Sequence, residues 1–404
     1  MIELQQKYIK QLDGITLPLL LNKLITAECL SNNIPLNSVH LTLPDRISIR
    51  DGGADAIFKC DTPVSTDFLF SNDMIFQVKA TSNINLTSEV KKENIAAHIR
   101  NGGAYVLFCN KLYSEGCYTT NKEDEFKKQI AEELNIPTIN VNFKLYDHSQ
   151  MASWIGRYYP IKIWLLQTIG AYSGVFQDFE RWQQDKSLQN PLKTNDNLNR
   201  SIEDIGSCIC SNSIIRIEGQ SGIGKSRQLL EAIRKHKEIQ NLVLYTNQIT
   251  NRFNDIRDEI NLIIDNKQKA FVILDDCPYK EFTQIKKELN TSPNNITFIS
   301  LDYESEDNYS NRPLIPSERI ILSQVDDEVI RDILVDSHGG IDENELQHLV
   351  ELCGQNPRMA MILNLYSDAL DFSSCIESET LEKMTQTHRE DRKFENLRTV
   401  LEVC

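Results

Sequence analysis

The sequence of 404 residues lacks the features that define several classes of protein. It has no apolar run of the roughly 18 residues that a membrane helix requires. Its N-terminus lacks the charged, apolar and small-residue order of a secretory signal. Ten cysteines are scattered without framework spacing, and the closest pair, Cys208 and Cys210, has no histidine group beside it in the sequence. We therefore expect a cytoplasmic protein with reduced thiols and no membrane contact.

Neither internal repeats nor low-complexity tracts occur, and 43 Lys and Arg are outnumbered by 58 Asp and Glu. The net charge is −15, which by itself disfavours binding to nucleic acid. The acidity is concentrated near the end of the chain, since residues 301–404 carry 9 Lys and Arg against 23 Asp and Glu. Residues 1–150 carry 15 against 18. The N-terminal part can therefore still meet a polyanion through a local basic patch.

Strand and helix patterns alternate through most of the chain, which predicts an α/β fold with covered sheets. An apolar helix is predicted over 17–30, and a short strand over 138–143 follows Pro137. All three tryptophans lie in a helical stretch that ends in a polar linker. After Asp326 the pattern is wholly helical. We therefore predict four segments. They are an N-terminal α/β domain over 1–147, a helical connector with its linker over 148–199, an α/β core over 200–325 and a helical annex over 326–404.

Residues 219–226 read Gly-Gln-Ser-Gly-Ile-Gly-Lys-Ser and fit the phosphate-loop pattern at every fixed position. Glycines let successive backbone N–H groups converge on phosphate oxygens, and the following helix adds its positive end. The lysine reaches the β- and γ-phosphates and the last serine binds Mg²⁺. This predicts an ATP site with Mg²⁺, formed by Gly219, Ser221, Gly222, Gly224, Lys225 and Ser226.

A second acidic group for this metal is expected at the end of a later apolar strand. Phe-Val-Ile-Leu precedes Asp275 and Asp276, so both carboxylates follow a buried strand. We assign Asp275 to the magnesium ion and Asp276 to the attacking water. Ser300 and Asp302 end the next predicted strand, where a residue that senses the γ-phosphate is an option.

A further group of polar residues lies near the N-terminus. Gln77 and Lys79 are two residues apart on a predicted strand, so their side chains share one face. Asp55 follows a Gly-Gly turn that also contains Asp51, a weaker candidate. Carboxylate, amide oxygen and lysine together suit Mg²⁺-assisted attack on a phosphodiester. The Val78 carbonyl and Glu28 are candidates to complete the metal ligands.

The segment over roughly 200–370 resembles the STAND class of P-loop ATPases. The resemblance rests on the Asp-Asp strand end, the direct passage into a helical annex, and Gly354-Gln355-Asn356-Pro357. In that class a proline lies against adenine, which implies a nucleotide contact for Pro357. An Asn-Pro turn that begins a helix is the alternative interpretation.

The segment over about 15–145 resembles the Mrr-like branch of the PD-(D/E)xK nuclease superfamily, through its Gly-Gly-Ala-Asp turn and its Gln-Val-Lys strand. The resemblance implies a restriction-endonuclease-like α/β domain. Asp55 would be the metal aspartate, Gln77 the ligand in the glutamate position and Lys79 the catalytic lysine.

Together the two segments resemble the amino-terminal part of antiviral STAND (Avs-type) defence proteins. This implies an ATP-regulated, Mg²⁺-dependent endonuclease acting on double-stranded DNA, assembled as a homo-oligomer and triggered by a viral protein. Such proteins continue into a sensor array, so either a truncated chain or a short form is expected. The alternative is a nucleotide-switched scaffold that binds nucleic acid or partners without cleaving them. A restriction-complex motor is disfavoured because helicase motifs beyond the two nucleotide motifs are absent.

Overall fold

The computed structural model describes most of the chain up to Tyr366. The described residues are 6–43, 54–80, 84–113, 119–185, 188, 191–211, 213–291, 293–303, 319–337 and 342–366. Asp51 and the last part of the predicted helical annex lie outside them. Among the described residues, no helix combines the length and apolar character that a membrane crossing demands.

The N-terminal part forms a five-stranded sheet in the order β1-β2-β3-β4-β5. The first three strands pair antiparallel, and β3, β4 and β5 pair parallel. The strands are β1 (Val39–Thr42), β2 (Ala56–Cys60), β3 (Asp73–Lys79), β4 (Ala104–Cys109) and β5 (Phe143–Tyr146). The helices are α1 (Gln6–Ile9), α2 (Thr16–Ser31), α3 (Leu86–Val90), α4 (Glu93–Arg100) and α5 (Thr119–Leu134).

Both faces of this sheet are covered, and β3 supplies side chains to each face in alternation. Phe76 and Val78 pack in the same core as the apolar residues of α2. Ile75 packs on the opposite face, in a core with Tyr105 and residues of α3, α4 and α5. Because side chains alternate along a strand, Gln77 and Lys79 belong to the Ile75 face.

The strand predicted over 138–143 is misplaced. Residues Thr138–Asn140 form a single 3₁₀ turn, and Ile139 is almost fully exposed. The strand β5 begins at Phe143, which lies opposite Tyr105 of β4. Parallel pairing with β4 and burial of Phe143 and Leu145 therefore decide the register, and the turn after Pro137 delays entry into the sheet.

The second sheet has six strands in the order β11-β7-β10-β9-β8-β6. All of its pairings are parallel except that between β6 and β8. The strands are β6 (Gln177–Asp178), β7 (Ile214–Glu218), β8 (Val243–Asn247), β9 (Lys269–Asp275), β10 (Asn295–Asp302) and β11 (Arg319–Ile321). Four longer helices alternate with or flank these strands, namely α9 (Asp196–Ser211), α10 (Lys225–Lys235), α11 (Phe253–Asp265) and α12 (Tyr279–Thr291).

The tryptophan-rich stretch packs against both sheets. It contains α6 (His148–Gly156), α7 (Tyr159–Thr168) and α8 (Phe179–Trp182). Trp154 is fully buried and stacks on Phe68 at 4.7 Å between ring centroids. Trp182 is also fully buried and stacks on Tyr245 of β8 at 4.6 Å. These aromatic side chains therefore serve as core packing.

Three helices follow the second sheet and enclose a small core of their own. They are α13 (Asp327–Ser337), α14 (Glu343–Cys353) and α15 (Pro357–Tyr366). The turn between the last two uses left-handed backbone at Gly354, with φ of 53°, and at Gln355, with φ of 60°. Pro357 is the first residue of α15, a position where proline's fixed φ suits a helix start.

Candidate functional site

The phosphate-loop residues lie between the end of β7 and the start of α10. Gly222 and Gly224 have φ of 86° and 91°, a left-handed conformation that only glycine adopts without strain. Lys225 is the first residue of α10, and its Nζ donates to the carbonyls of Gly219 and Gln220, both at 2.9 Å. The Lys225 ammonium group therefore lies against the backbone of the phosphate loop.

Sheet order places this loop where a ligand is expected in an open α/β sheet. The strands β7 and β10 are neighbours in this sheet. After β7 the chain continues to β8, on the β10 side of the pair, and after β10 it continues to β11, on the β7 side. Ligands of such sheets bind at the carboxyl ends of strands where the order reverses. With the strand-loop-helix unit, this topology is that of a P-loop NTPase fold.

Asp275 lies at this edge beside the phosphate loop. Its Oδ2 accepts hydrogen bonds from Ser226 Oγ at 2.6 Å and from the Tyr245 hydroxyl at 2.9 Å. Burial, followed by repulsion from Asp276, raises the pKa of Asp275. A dication at the hydroxyl and carboxylate oxygens would offset both effects, so Ser226 and Asp275 fit a magnesium ion that also binds phosphate.

Asp276 is held in a left-handed conformation with φ of 51°. Its Oδ2 accepts from Asn247 Nδ2 at 2.7 Å, and its backbone N–H donates to Asp275 Oδ1 at 2.9 Å. The neighbouring strand β8 therefore orients this carboxylate. Sequence reasoning missed Asn247 and Tyr245, because neither belongs to a motif and only strand pairing brings them to the two aspartates.

A buried charge network lies directly beneath the loop. Arg216 of β7 is fully buried and donates to Glu218 Oε1 at 2.6 Å and to Asp302 Oδ2 at 2.8 Å. Ser300 Oγ is 3.4 Å from the same guanidinium, and Arg319 binds Glu218 at 2.7 Å. Ser300 and Asp302, the candidate phosphate sensors, are thus engaged with Arg216, which the sequence analysis did not single out.

The C-terminal helices contact the phosphate loop directly. Asn356 Nδ2 donates to the Ser221 carbonyl at 2.8 Å, and the Arg358 backbone N–H donates to the Gly222 carbonyl at 3.3 Å. A Cβ at Gly222 would lie 2.4 Å from Asn356 Oδ1, so this close approach requires glycine. The position of Pro357 between these two contacts agrees with the helix-start interpretation, and its packing against adenine stays a prediction.

The N-terminal candidate residues meet at the paired ends of β2 and β3. Asp55 is buried, and its Oδ2 accepts from the Val78 backbone N–H at 2.8 Å and from Gln77 Nε2. Gln77 Oε1 accepts from the Tyr105 hydroxyl at 3.4 Å. Burial first, and then the nearby Glu89 and Asp55, raise the pKa of Tyr105. The structure therefore brings Asp55 and Gln77 into contact.

Lys79 lies on the same face, and its Nζ binds Glu89 Oε1 at 2.9 Å. Glu89 belongs to α3 and also pairs with Lys92 at 2.5 Å. Burial acts to raise the pKa of Glu89, but hydrogen bonds from Lys92 and Lys79 outweigh it, and the pKa is lowered. Sequence reasoning missed Glu89. Lys79 lies on a strand and Glu89 on the following helix, and no known motif links residues at this spacing.

Glu28 lies elsewhere. It is buried on α2, where its Oε2 accepts from Trp154 Nε1 at 3.0 Å and from the Tyr158 hydroxyl at 2.7 Å. The residues of α2 pack on the Phe76 face of the sheet, whereas Gln77 and Lys79 belong to the other face. The structure therefore does not bring Glu28 together with Asp55, Gln77 and Lys79.

The donor set around Asp55 fits a magnesium ion by its chemistry. It offers a carboxylate and an amide oxygen, which are the hard ligands that Mg²⁺ prefers. The amide nitrogen of Gln77 now faces Asp55, and a flip of the amide exchanges its N and O without moving the chain. Asp55 and Gln77 would then present two oxygens to one ion, with Lys79 and Glu89 beside them.

Comparison with known proteins gives no family: no family model matches the chain, and no curated protein matches it. A RuvB mutant of Thermotoga maritima aligns with 48% of this chain and 71% of its own, at 10% identity and a TM-score of 0.31. AMPPCP-bound DnaA from Aquifex aeolicus aligns with 48% and 71%, at 15% identity and 0.34. A Walker-type ATPase of Pyrococcus abyssi aligns with 52% and 76%, at 12% identity and 0.35. Similarity this distant carries no argument about the activity of this chain.

Proposed function

We propose that this protein is a Mg²⁺-dependent DNA endonuclease whose activity is controlled by ATP at the phosphate loop. The observation that carries the proposal is the convergence of Asp55, Gln77 and Lys79 on one face at the ends of β2 and β3. A site of this composition in a chain that also has a complete phosphate loop supports a nucleotide-controlled nuclease. The resemblance described from the sequence supports a role in defence against viruses.

In the nuclease site each side chain has a distinct task. Asp55 and Gln77 would hold the metal, and the Val78 N–H fixes the Asp55 carboxylate in place at 2.8 Å. A metal bound there would polarise the phosphodiester and lower the pKa of an attacking water. Lys79 places its positive charge beside the phosphate oxygens. Glu89 orients that lysine through the 2.9 Å ion pair.

At the nucleotide site, the loop amides and Lys225 bind the phosphates. The lysine exchanges its two carbonyl contacts, to Gly219 and Gln220, for phosphate oxygens. Ser226 and Asp275, which share a hydrogen bond, would hold Mg²⁺, and Asp276, oriented by Asn247, would position a water for hydrolysis. Asn356 and Arg358 of the C-terminal helices donate to carbonyls of the phosphate loop. Through these two hydrogen bonds, nucleotide binding at the loop can change the position of the C-terminal helices.

Control of the nuclease needs a physical link between the two sheets. Lys23 of α2 binds Glu180 at 2.7 Å and Asn241 at 3.0 Å, and Lys269 Nζ donates to the Leu30 carbonyl at 3.0 Å. Thus α2 contacts α8 of the tryptophan-rich stretch, a residue just before β8 and the first residue of β9. We propose that these contacts hold a closed form, and that nucleotide, self-association and a viral protein shift the chain to the active form.

A second candidate function is a nucleotide-switched module that binds nucleic acid or partners without cleaving. It is favoured by Gln77, an uncharged residue that donates to Asp55, and by Glu89, which forms an ion pair with Lys79. In these pairings the polar groups of the site bind one another. The two candidates differ in whether DNA is cut.

The test is cleavage of plasmid DNA by the purified full chain with Mg²⁺ and ATP, ADP or no nucleotide. Asp55→Ala and Lys79→Ala should each lower the cleavage rate by about 10²–10³-fold, since each removes a group that stabilises charge at the reacting phosphate. Lys59→Ala is the matched control, because Lys59 is an exposed lysine on the neighbouring strand.

Mass in solution should be measured on the same samples. Cleavage that requires ATP and accompanies a larger mass supports the proposal. DNA binding without cleavage by the parent protein under all three conditions would establish the second candidate. Cleavage by a monomer at the same rate in every condition would contradict control by nucleotide.

A further inference from the structure

One cluster outside both candidate sites combines a thiol, an imidazole and a carboxylate. Cys210 is the last residue but one of α9, while His236 and Glu238 follow α10. The potential ligand atoms of these three residues all lie within 4.8 Å of one another. His236 Nδ1 is 3.8 Å from Cys210 Sγ and 2.9 Å from Glu238 Oε1.

These separations are close to those of a metal site. Tetrahedral bonds of about 2.0–2.3 Å to sulfur, nitrogen and oxygen give ligand-to-ligand distances of about 3.3–3.7 Å. The two distances to His236 Nδ1 fall on either side of that range, and Cys210 Sγ lies within 4.8 Å of a Glu238 carboxylate oxygen. Ligation therefore needs adjustments of up to about an ångström, which the side chains of an exposed cysteine and a partly exposed glutamate can make.

The backbone also makes room for the imidazole. A Cβ on Gly206 of α9 would lie 2.7 Å from His236 Nε2, so any larger residue there would push the ring away. The glycine therefore lets the ring lie against α9 with Nδ1 facing Cys210 and Glu238.

We propose that Cys210, His236 and Glu238 bind a divalent metal ion of the Zn²⁺ type, with water as the fourth ligand. Thiolate, imidazole and carboxylate together select a borderline-soft ion over Mg²⁺. The ion would fasten the end of α9 to the end of α10 that lies away from the phosphate loop, about 16 Å along the helix. Its role is structural, because it fixes the position of the helix that begins with Lys225.

The local charges suit a cation. The cluster lies at the carboxyl end of α10, where the helix dipole is negative. Two of the basic neighbours have acidic partners, since Arg234 pairs with Glu231 at 2.6 Å and Lys235 with Glu203 at 3.3 Å, while Lys237 lies between His236 and Glu238 in the sequence.

The experiment is titration of the metal-free full chain with Zn²⁺ and with Co²⁺, whose thiolate complexes have a charge-transfer absorption. We expect one ion per chain and a thiolate band with Co²⁺. Cys210→Ser should abolish the band and weaken Zn²⁺ binding by at least about 10-fold. His236→Ala should weaken binding to a similar degree.

Cys208→Ser is the matched control, because a residue two positions away on α9 faces another direction. It should keep both the band and the affinity. Thermal unfolding without metal tests whether the variants fold, and only the parent and Cys208→Ser should gain stability when Zn²⁺ is added. Equal affinity of Cys210→Ser and the parent, or Co²⁺ binding without a thiolate band, would overturn the proposal.

Discussion

The phosphate loop and the Asp55 site both lie at strand ends of α/β sheets, yet they are assembled in different ways. The loop is one run of consecutive residues whose backbone creates the site. The Asp55 site draws on β2, β3 and α3 and depends on the pairing of separate segments. A site made by local backbone can be identified from a motif, whereas a site made by side chains from several elements is only partly visible in the sequence.

The two sites also treat their carboxylates differently. Asp275 is deeply buried beside Asp276 without a cationic partner among the contacts described above, and its pKa is raised. Glu89 lies between two lysines, and its pKa is lowered. The first carboxylate is therefore suited to receive a metal, whereas the second already has its counter-charges from the protein.

The largest expected effect concerns the buried network below the phosphate loop. Arg216→Ala would remove the cation that pairs with both Glu218 and Asp302 and leave these two carboxylates buried. We expect this to lower the free energy of unfolding by about 3–5 kcal/mol. Lys79→Ala removes a partly exposed ion pair and should cost less than about 1 kcal/mol. Urea unfolding of both variants checks this contrast, and equal losses would contradict it.

Nucleotide affinity should depend on the loop lysine alone among the lysines of α10. Lys225→Ala removes the charged contact to the phosphates, and we expect ATP affinity to fall by about 100-fold. Lys235→Ala, at the other end of the same helix, is the control and should bind as the parent does. Calorimetric titration measures both, and unchanged affinity of Lys225→Ala would refute the nucleotide site.

Glu28 provides a smaller test that separates the two faces of the N-terminal sheet. Glu28→Gln keeps an acceptor for Trp154 and Tyr158, so cleavage should remain within about 3-fold of the parent. Glu28→Ala leaves two buried donors unpaired and should cost about 2 kcal/mol of stability. A loss of cleavage in well-folded Glu28→Gln, as large as that of Asp55→Ala, would restore Glu28 as a metal ligand.

The smallest effect distinguishes the two carboxylates by pH. Because the pKa of Glu89 is lowered in the folded state, its stabilising effect is present above its ordinary value of 4.5 and is lost as pH falls through the folded pKa. Glu89→Gln should therefore be less stable than the parent near pH 7, and the difference should shrink in acid.

For Asp275, the effect of ionisation on the stability of the fold has the opposite sign. Its raised pKa means that ionisation destabilises the fold at neutral pH, so Asp275→Asn should be more stable than the parent there, while Mg²⁺-dependent nucleotide binding weakens. Thermal unfolding from about pH 7 down to about pH 3 tests both variants. Stability differences of the same sign would contradict the electrostatic contrast between the two sites.

The sequence alone determined the α/β character, the phosphate loop and the face shared by Gln77 and Lys79. These features follow from local rules, since hydrophobic period, glycine conformation and alternation along a strand act over a few residues. The sequence did not locate β5, whose start depends on burial of Phe143 against β4.

Only the tertiary structure decided which distant side chains meet. It placed Glu89 on Lys79, Arg216 between Glu218 and Asp302, and His236 beside Cys210. It also put Glu28 on the face of the sheet away from Lys79. The physical reason is that strand order and helix packing, which are set by burial of whole apolar faces, determine these encounters, and no short run of residues encodes them.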